Sequence, residues 1–186
     1  MDDAVRLIRQ RFEAGETFAG LLRRMKDGDN LLEALYKKAS LSSESSRRAS
    51  LLRGQWNVLV LHEDWCGDSV NVLPHLARLK EASSGINLRI LGRDANPDIM
   101  NAHLTNGSRS IPVVIVLDSD FVERGWWGPR PGSLQVWATS EGLALPKAER
   151  YRQMRMWYAR DRGATIVEEI LAIIEQGEGA DAKAAL

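Results

Sequence analysis

Cys66 is the only cysteine of this 186-residue chain and the residue best suited to covalent chemistry. It follows WNVLVLH, residues 56–62, and precedes VNVLPHLARLK, residues 70–80, so it lies where a predicted strand gives way to a predicted helix. A thiol at the start of a helix faces unpaired backbone N–H groups and the positive end of the helix dipole, both of which favour the thiolate. Cys66 is therefore predicted to be a nucleophile.

Two neighbours of Cys66 have opposite effects on the stability of its thiolate. Ser69 lies on the next helical turn and can donate a hydrogen bond to the sulfur, so it is predicted to be catalytic together with Cys66. The carboxylate of Asp68 favours the neutral thiol instead, which leaves the direction of the net effect open. A second interpretation also stays open: free cysteines are among the most often buried residues, and Cys66 would then be a small core residue.

A zinc site is the weaker interpretation of the same region. His62, Asp64 and Cys66 would supply the ligands at the end of the strand, with His75 as a further donor. Neither a Cys-x-x-Cys pair nor a His-x-x-x-His pair supports such a site, so no metal is predicted.

The composition excludes several classes of function. The chain has 25 basic and 25 acidic residues, and this balance gives no reason to expect nucleic acid or an anionic membrane as a partner. No apolar run of about 18 residues is present to span a bilayer. A lone cysteine cannot close an internal disulfide, and the first residues lack the pattern of a secretion signal. A cytoplasmic protein without nucleic-acid or membrane partners is predicted, and the oligomeric state is left open.

Apolar periodicity predicts the elements that position Cys66. From residue 51 onward the order is strand, helix, strand, helix, a hairpin of two strands, and a helix. A long helical pattern begins at Pro146 and is interrupted at Gly163. This alternation predicts an α/β fold with a central mixed sheet flanked by helices.

Helical segments are predicted on both sides of this unit. Residues 2–39 follow helical spacing, and the serine-rich segment 40–50 is either a linker or a capped turn between helices. The prediction divides the chain into three parts: an N-terminal helical extension over residues 1–50, a domain over 51–176 that includes the long C-terminal helix, and a frayed tail over 177–186.

The order of several short segments resembles the thioredoxin superfamily. WCGDS resembles the signature Trp-Cys-Gly-x-Cys, and Pro74 matches the proline that kinks the following helix. DANP resembles the segment after the second strand, and RSIPVVIVLD resembles the segment with the cis-proline, which would be Pro112. A glycine follows the fourth strand, at Gly125 or Gly128. The WCGDS, RSIP and WGPRP segments together are similar to a bacterial thioredoxin-like branch with an N-terminal helical extension, which implies a thioredoxin-like fold.

Two departures from the family pattern limit the activity that the resemblance implies. Ser69 replaces the second cysteine, and serine cannot resolve a mixed disulfide, so a dithiol reductase is excluded. Val60 stands where the family has a buried aspartate. The resemblance therefore implies a monothiol cycle, in which Cys66 attacks a disulfide and an external thiol such as glutathione resolves the product.

The resemblance also indicates where substrates bind. The backbone of Ile111, beside Pro112, would pair with an extended segment of a protein or with a low-molecular-weight disulfide. Arg109 is the preferred partner for a carboxylate of glutathione, ahead of Arg93, Arg124 and Arg130. The full set of predicted substrate-binding residues is Trp65, Gly67, Asp68, Arg109, Ser110, Ile111 and Pro112. No bound cofactor is predicted, and glutathione would act as a co-substrate.

Two other functions are compatible with the same residues. The first is a non-catalytic thioredoxin-like module, in which the substrate edge binds a protein and Cys66 does not turn over. The second is iron–sulfur cluster binding, because Cys-Gly-Asp-Ser resembles the Cys-Gly-Phe-Ser motif of monothiol glutaredoxins. Trp65 and the DANP segment are thioredoxin-like, and the glutaredoxin glycine pair is missing, so the cluster is the minor alternative.

Overall fold

The computed structural model describes residues 3–25 and 31–184, and the remaining parts of the predicted extension and tail lie outside the described residues. The helices described are α1 (Asp3–Ala14), α2 (Phe18–Arg24), α3 (Leu31–Lys38), α4 (Ser43–Leu51), α5 (Gly67–Ala82), α6 (Pro97–Ala102), α7 (Gly132–Ala138), α8 (Lys147–Asp161) and α9 (Ala164–Ala184). The strands are β1 (Trp56–His62), β2 (Ile86–Gly92), β3 (Val113–Leu117) and β4 (Glu123–Trp127).

The four strands form one mixed sheet in the order β2-β1-β3-β4. β1 pairs with β2 in parallel and with β3 antiparallel, and β3 pairs with β4 antiparallel. β1 and β3 are buried along their whole length, as expected for strands that are covered on both faces. The predicted mixed sheet, the hairpin and the flanking helices are confirmed.

The two faces of the sheet carry separate parts of the core because side chains alternate along a strand. Val58 and Val60 of β1 pack with α5, α9 and the helices α2 to α4. Leu59 and Leu61 face the other side, where they pack with α1, α6 and Cys66. The candidate site therefore lies on the face that α1 and α6 cover.

The serine-rich segment 40–50 is mostly helical, and only residues 40–42 form the predicted capped turn between helices. Most of the segment is helix α4, whose first turn is capped by Ser42, with the hydroxyl accepting from the backbone N–H of Ser45 at 3.0 Å. Ser45 and Ala49 are buried, and their small side chains allow α4 to pack closely on the core. Arg48 forms ion pairs with Glu168 and Glu175 of α9, which fixes the helix on the core.

The N-terminal extension belongs to the same core as the sheet. Phe18, Leu21 and Leu32 are buried in the cluster that also contains β1 and α5. The backbone of Glu16 exchanges two hydrogen bonds with Ile90 of β2, each 2.9 Å long. The extension therefore pairs with the outer edge of β2 at Ile90, where the backbone groups would otherwise be unpaired.

The C-terminal helical pattern breaks where the sequence predicts. Arg162 and Gly163 adopt positive φ angles of 54° and 79° between α8 and α9. A Cβ at Gly163 would lie 2.2 Å from Nδ1 of His75, so the two elements approach too closely for any larger residue. Helix α9 continues to Ala184, and the fraying predicted for the tail stays a prediction. Of the helices in the described ranges, none is long and apolar enough to cross a membrane.

Candidate functional site

Cys66 is the N-cap residue of α5, at the end of the loop that follows β1. Its backbone N–H donates to the carbonyl of Glu63 at 2.9 Å, and its carbonyl accepts from Val70 at 3.3 Å. The thiol donates to the carbonyl oxygen of Ile111 at 3.3 Å. The peptide bond between Ile111 and Pro112 is cis. The fold thus brings Cys66 and the predicted substrate edge, 45 residues apart in sequence, into direct contact.

Access to Cys66 is narrow. Only 7% of the residue is exposed, and it packs in the apolar cluster with Leu61, Ile99 and Ile111. Gly67 next to it is exposed, and a Cβ there would meet no atom within 4 Å, so the surface above the helix start is open. A disulfide would have to reach the sulfur from this open surface.

Ser69 does not form the predicted hydrogen bond with Cys66. The helix turns its side chain into the core, where it is fully buried. Its hydroxyl has no hydrogen-bond partner among the residues that the structure describes. The prediction that Ser69 stabilises the thiolate by donating to the sulfur was therefore wrong for this conformation.

Asp68 is buried and its carboxylate is occupied by two partners from distant parts of the chain. One oxygen pairs with the guanidinium of Arg130 at 2.6 Å, and the other accepts from the hydroxyl of Tyr158 at 2.9 Å. Burial raises the pKa of the Asp68 carboxyl, while Arg130 and Tyr158 act in the opposite direction. This carboxylate is not free to bind substrate, contrary to the prediction, and its charge is balanced locally by Arg130.

The exposed side of the site carries Trp65, Arg93 and Arg109. The indole of Trp65 is 67% exposed, and the guanidinium of Arg93 lies 5.0 Å from its ring centroid. Arg93 also donates to the carbonyl of Arg109 at 3.2 Å, which ties the Trp65 loop to the segment before Pro112. The guanidinium of Arg109 donates to Asn101 of α6 at 2.9 Å and makes no contact with Cys66.

Ser110, which is predicted to bind substrate, lies between Arg109 and Ile111. It is half-buried, and its backbone N–H donates to the carbonyl of Ser108 at 2.9 Å, so the segment before Ile111 is held in a tight turn. Its place in the chain, next to Ile111, keeps it among the candidates for substrate contact.

The segment WGPRP packs directly on the Pro112 loop. Gly128 has a φ angle of 136°, and a Cβ at this position would lie 2.1 Å from the carbonyl oxygen of Pro112. Of the two candidate glycines after the fourth strand, Gly128 is therefore the one that contacts the site. Arg130 follows two residues later and pairs with Asp68. One short segment therefore contacts both the Pro112 loop and the start of α5.

Two of the potential zinc donors, His62 and Asp64, are engaged with each other. Nε2 of His62 lies 2.9 Å from Asp64, and Asp64 pairs in turn with Arg24 of α2. Burial lowers the pKa of His62, which favours the neutral ring. No group of three or more potential ligands for a metal ion occurs among the described residues. The contact of Arg24 with the loop before Cys66 was missed, because nothing in the local sequence relates the two.

The sequence and the structure are similar to known proteins over most of the chain. The family model described as thioredoxin matches residues 15–144. The crystal structure of an HIV epitope-scaffold has a TM-score of 0.71 and 23% identity, and the match covers 90% of this chain and 97% of that chain. The crystal structure of a protein of unknown function from Pseudomonas aeruginosa has a TM-score of 0.70 and 24% identity, with 89% and 95% covered. None of the curated proteins compared with the chain matches it.

These similarities bear on the fold. Both structural relatives have low identity, so they show the architecture and not the activity. The thioredoxin-like fold predicted from the motifs is confirmed. The family match begins at residue 15, inside the N-terminal extension, so part of the extension is included in the family pattern.

Proposed function

The chain belongs to the thioredoxin family, and from that premise we propose that it is a monothiol thiol–disulfide oxidoreductase with Cys66 as its nucleophile. The observation that carries the proposal is the position of the thiol at the start of α5, 3.3 Å from the carbonyl of Ile111 beside Pro112. The backbone N–H groups of the first turn of α5 favour the thiolate once the thiol has lost its proton to solvent.

The proposed cycle is a pair of thiol–disulfide exchanges. The thiolate of Cys66 attacks one sulfur of a substrate disulfide, the S–S bond breaks, and the second sulfur leaves as a thiolate that takes up a proton. An external thiol such as glutathione then attacks the mixed disulfide and releases Cys66. The external thiol is required because Ser69 has no sulfur with which to resolve the intermediate.

The substrate approaches across the open surface above Gly67. Its backbone pairs with the segment around Ile111, while Trp65 provides an exposed apolar face beside the thiol. Arg109, which lies on the same side, favours substrates with acidic groups near the reacting disulfide, whereas the charge of Arg93 is balanced by Asp94 at 2.8 Å. The reducing cytoplasm is the proposed location, because it supplies the external thiol.

A non-catalytic binding module is the second candidate, and the burial of Cys66 favours it. A residue that is only 7% exposed and packs among apolar side chains is protected from reagents. In this function the Ile111 segment binds a partner protein, and Cys66 contributes packing only.

Trapping of mixed disulfides separates the two functions. Wild-type protein and the Cys66→Ser variant are incubated with oxidised cell extract, and disulfide-linked adducts are separated without reductant. The oxidoreductase predicts adducts that disappear on reduction and are absent from Cys66→Ser. If the wild-type protein forms no more adducts than the variant, the oxidoreductase proposal is rejected.

A further inference from the structure

A groove of about 580 Å³ lies between α3, α5 and α8, on the side of α5 away from the apolar cluster that holds Cys66. Each helix contributes residues at helical spacing, so one face of each helix meets the others here. The residues that line it are Leu31, Leu35, Lys38, Ala39 and Ser40 from the α3 side, Asn71 and His75 from α5, and Arg155, Tyr158, Ala159 and Arg162 from the α8 side.

The groove is connected to the start of α5 at one end. Asn71 donates a hydrogen bond to the carbonyl of Gly67 at 2.8 Å, and Tyr158 donates to Asp68. Helical rise places Asn71 about 7 Å along the helix axis from Cys66. Cys66 itself does not line the groove, so a ligand held there reaches the thiol only if it extends past Asn71 and across the exposed Gly67.

The charges in the groove have one sign. Lys38, Arg155 and Arg162 line it without an ion pair to any carboxylate of the described residues, and none of its lining residues is acidic. Asp161, next in the chain to Arg162, does not line the groove and accepts from the hydroxyl and the backbone N–H of Thr165, although its charge still acts on the lining residue His75, where it opposes the lowering of the pKa by burial. Three cations around a concave surface attract and hold anions.

The groove also offers an apolar wall. Leu31 and Leu35 stand on the side that α3 provides, and Leu31 is exposed even though it is a large hydrophobic residue. Nδ1 of His75 is buried and has no hydrogen-bond partner among the described residues, but it lies against Gly163 and is not open to a ligand. A site with these properties suits a compact ligand that has a hydrophobic body and carboxylates.

We propose that this groove binds a small carboxylate-bearing ligand with an apolar body, and that it selects anionic disulfides or thiols for reaction at Cys66. The first half of this inference, anion binding, is independent of the redox proposal. The second half rests on the proposed function, since it assigns the substrate class to the same thiol.

Two disulfide reagents of similar size test the selection. Dithiobis-nitrobenzoate carries two carboxylates, whereas dithiodipyridine is neutral. In both, the Cys66 thiolate attacks one sulfur, the S–S bond breaks, and the other half leaves as a coloured thiol or thione that reports the rate. The test variant is Arg155→Gln with Arg162→Gln. The matched control is Arg23→Gln with Arg53→Gln, which removes two exposed positive charges outside the groove.

Selection by the groove predicts a loss of reaction rate with the anionic reagent only. The Arg155→Gln/Arg162→Gln variant should react about tenfold more slowly with dithiobis-nitrobenzoate, and its rate with dithiodipyridine should change by less than about twofold. The Arg23→Gln/Arg53→Gln control should keep the wild-type ratio of the two rates. Equal ratios in the wild type, the test variant and the control would overturn the proposed selection.

A binding measurement without reaction keeps the groove and the redox proposal separable. Nitrobenzoate is titrated into the Cys66→Ser variant, and the amide signals of Asn71 and His75 are followed by NMR. Saturable shifts that vanish on Arg155→Gln/Arg162→Gln support the groove even if neither reagent modifies Cys66, an outcome that would reject the redox proposal alone. Absence of saturable shifts would overturn the groove and leave the redox proposal standing.

Discussion

At the scale of single residues, the electrostatics near Cys66 are decided by Asp68. A carboxylate two residues from the thiol would oppose the thiolate if its charge were unbalanced. Here Arg130 pairs with it at 2.6 Å and Tyr158 donates to its other oxygen. The three residues form a buried polar cluster that joins the start of α5 to the WGPRP segment and to α8.

Removing the cation from this cluster is predicted to destabilise the folded protein. Arg130→Gln leaves the buried carboxylate of Asp68 without its charged partner, and the free energy of unfolding should fall by about 3 kcal/mol. The measurement is urea-induced unfolding at neutral pH. Arg152→Gln, which breaks an exposed pair with Glu149, is the control and should change the unfolding midpoint little.

A companion variant identifies the cause. If the uncompensated charge of Asp68 is responsible, adding Asp68→Asn to Arg130→Gln should recover part of the loss, because the buried group is then neutral. If Arg130→Gln loses no more stability than Arg152→Gln, or if the double variant recovers none of the loss, the uncompensated charge of Asp68 is not the cause.

At the scale of elements, two contacts hold the loops of the site. The Pro112 loop rests against Gly128, and the loop before Cys66 is held by Arg24 of α2. Each contact joins segments that are remote in sequence, and each can be weakened by one substitution.

Gly128→Ala is predicted to displace the Pro112 loop. The new Cβ would lie 2.1 Å from the carbonyl oxygen of Pro112, and the φ angle of 136° is unfavourable for any L side chain. Thermal unfolding should show a loss of stability, and the rate of Cys66 modification should change. Gly179→Ala in α9 has nothing within 4 Å of the new Cβ and should raise stability by up to about 1 kcal/mol. Similar effects of the two variants would argue against close contact at Gly128.

The Arg24 contact predicts a pH dependence. The hydrogen bond from Arg24 is the largest cause that lowers the pKa of Asp64 below its ordinary value of 3.8. Because the folded pKa is depressed, the stabilisation is present above that ordinary value and is lost as the pH falls through the folded pKa. Arg24→Gln should therefore lower the urea midpoint relative to wild type at about pH 7, and the difference should shrink as the pH falls below the ordinary pKa of 3.8. A difference that is constant over this range would show that Asp64 is not the partner that matters.

At the scale of the whole molecule, the N-terminal helices and the sheet share one core. Phe18 and Leu21 of α2 pack in the cluster that contains β1, α5 and α9, and Glu16 pairs with the edge of β2. The extension is therefore predicted to unfold together with the sheet and not as a separate unit.

Leu21→Ala tests this prediction. The side chain is fully buried, so its truncation should lower the free energy of unfolding by about 2–5 kcal/mol. Fluorescence of the tryptophans, which lie outside the extension, and circular dichroism should report the same shifted transition. Leu7→Ala in α1 removes an exposed side chain and should have a much smaller effect. An early circular-dichroism transition that leaves the fluorescence transition unchanged would mean that the extension folds on its own.

The strands, most of the helices and the position of Cys66 follow from local patterns. Continuous apolar character predicts β1 and β3 correctly, and the break at Gly163 is visible because glycine tolerates the positive φ that ends a helix. The helix within the serine-rich segment 40–50 was not predicted. This helix depends on buried contacts with α9 that periodicity does not reveal.

The chemistry around the thiol depends on contacts between residues that are far apart in the chain. The burial of Cys66, the pairing of Asp68 with Arg130 and Tyr158, and the unpartnered hydroxyl of Ser69 all arise from packing between segments. The cationic groove likewise appears only when one face from each of three helices meets. Local sequence limits the conformation of each segment, whereas burial and charge pairing depend on which distant segments become neighbours.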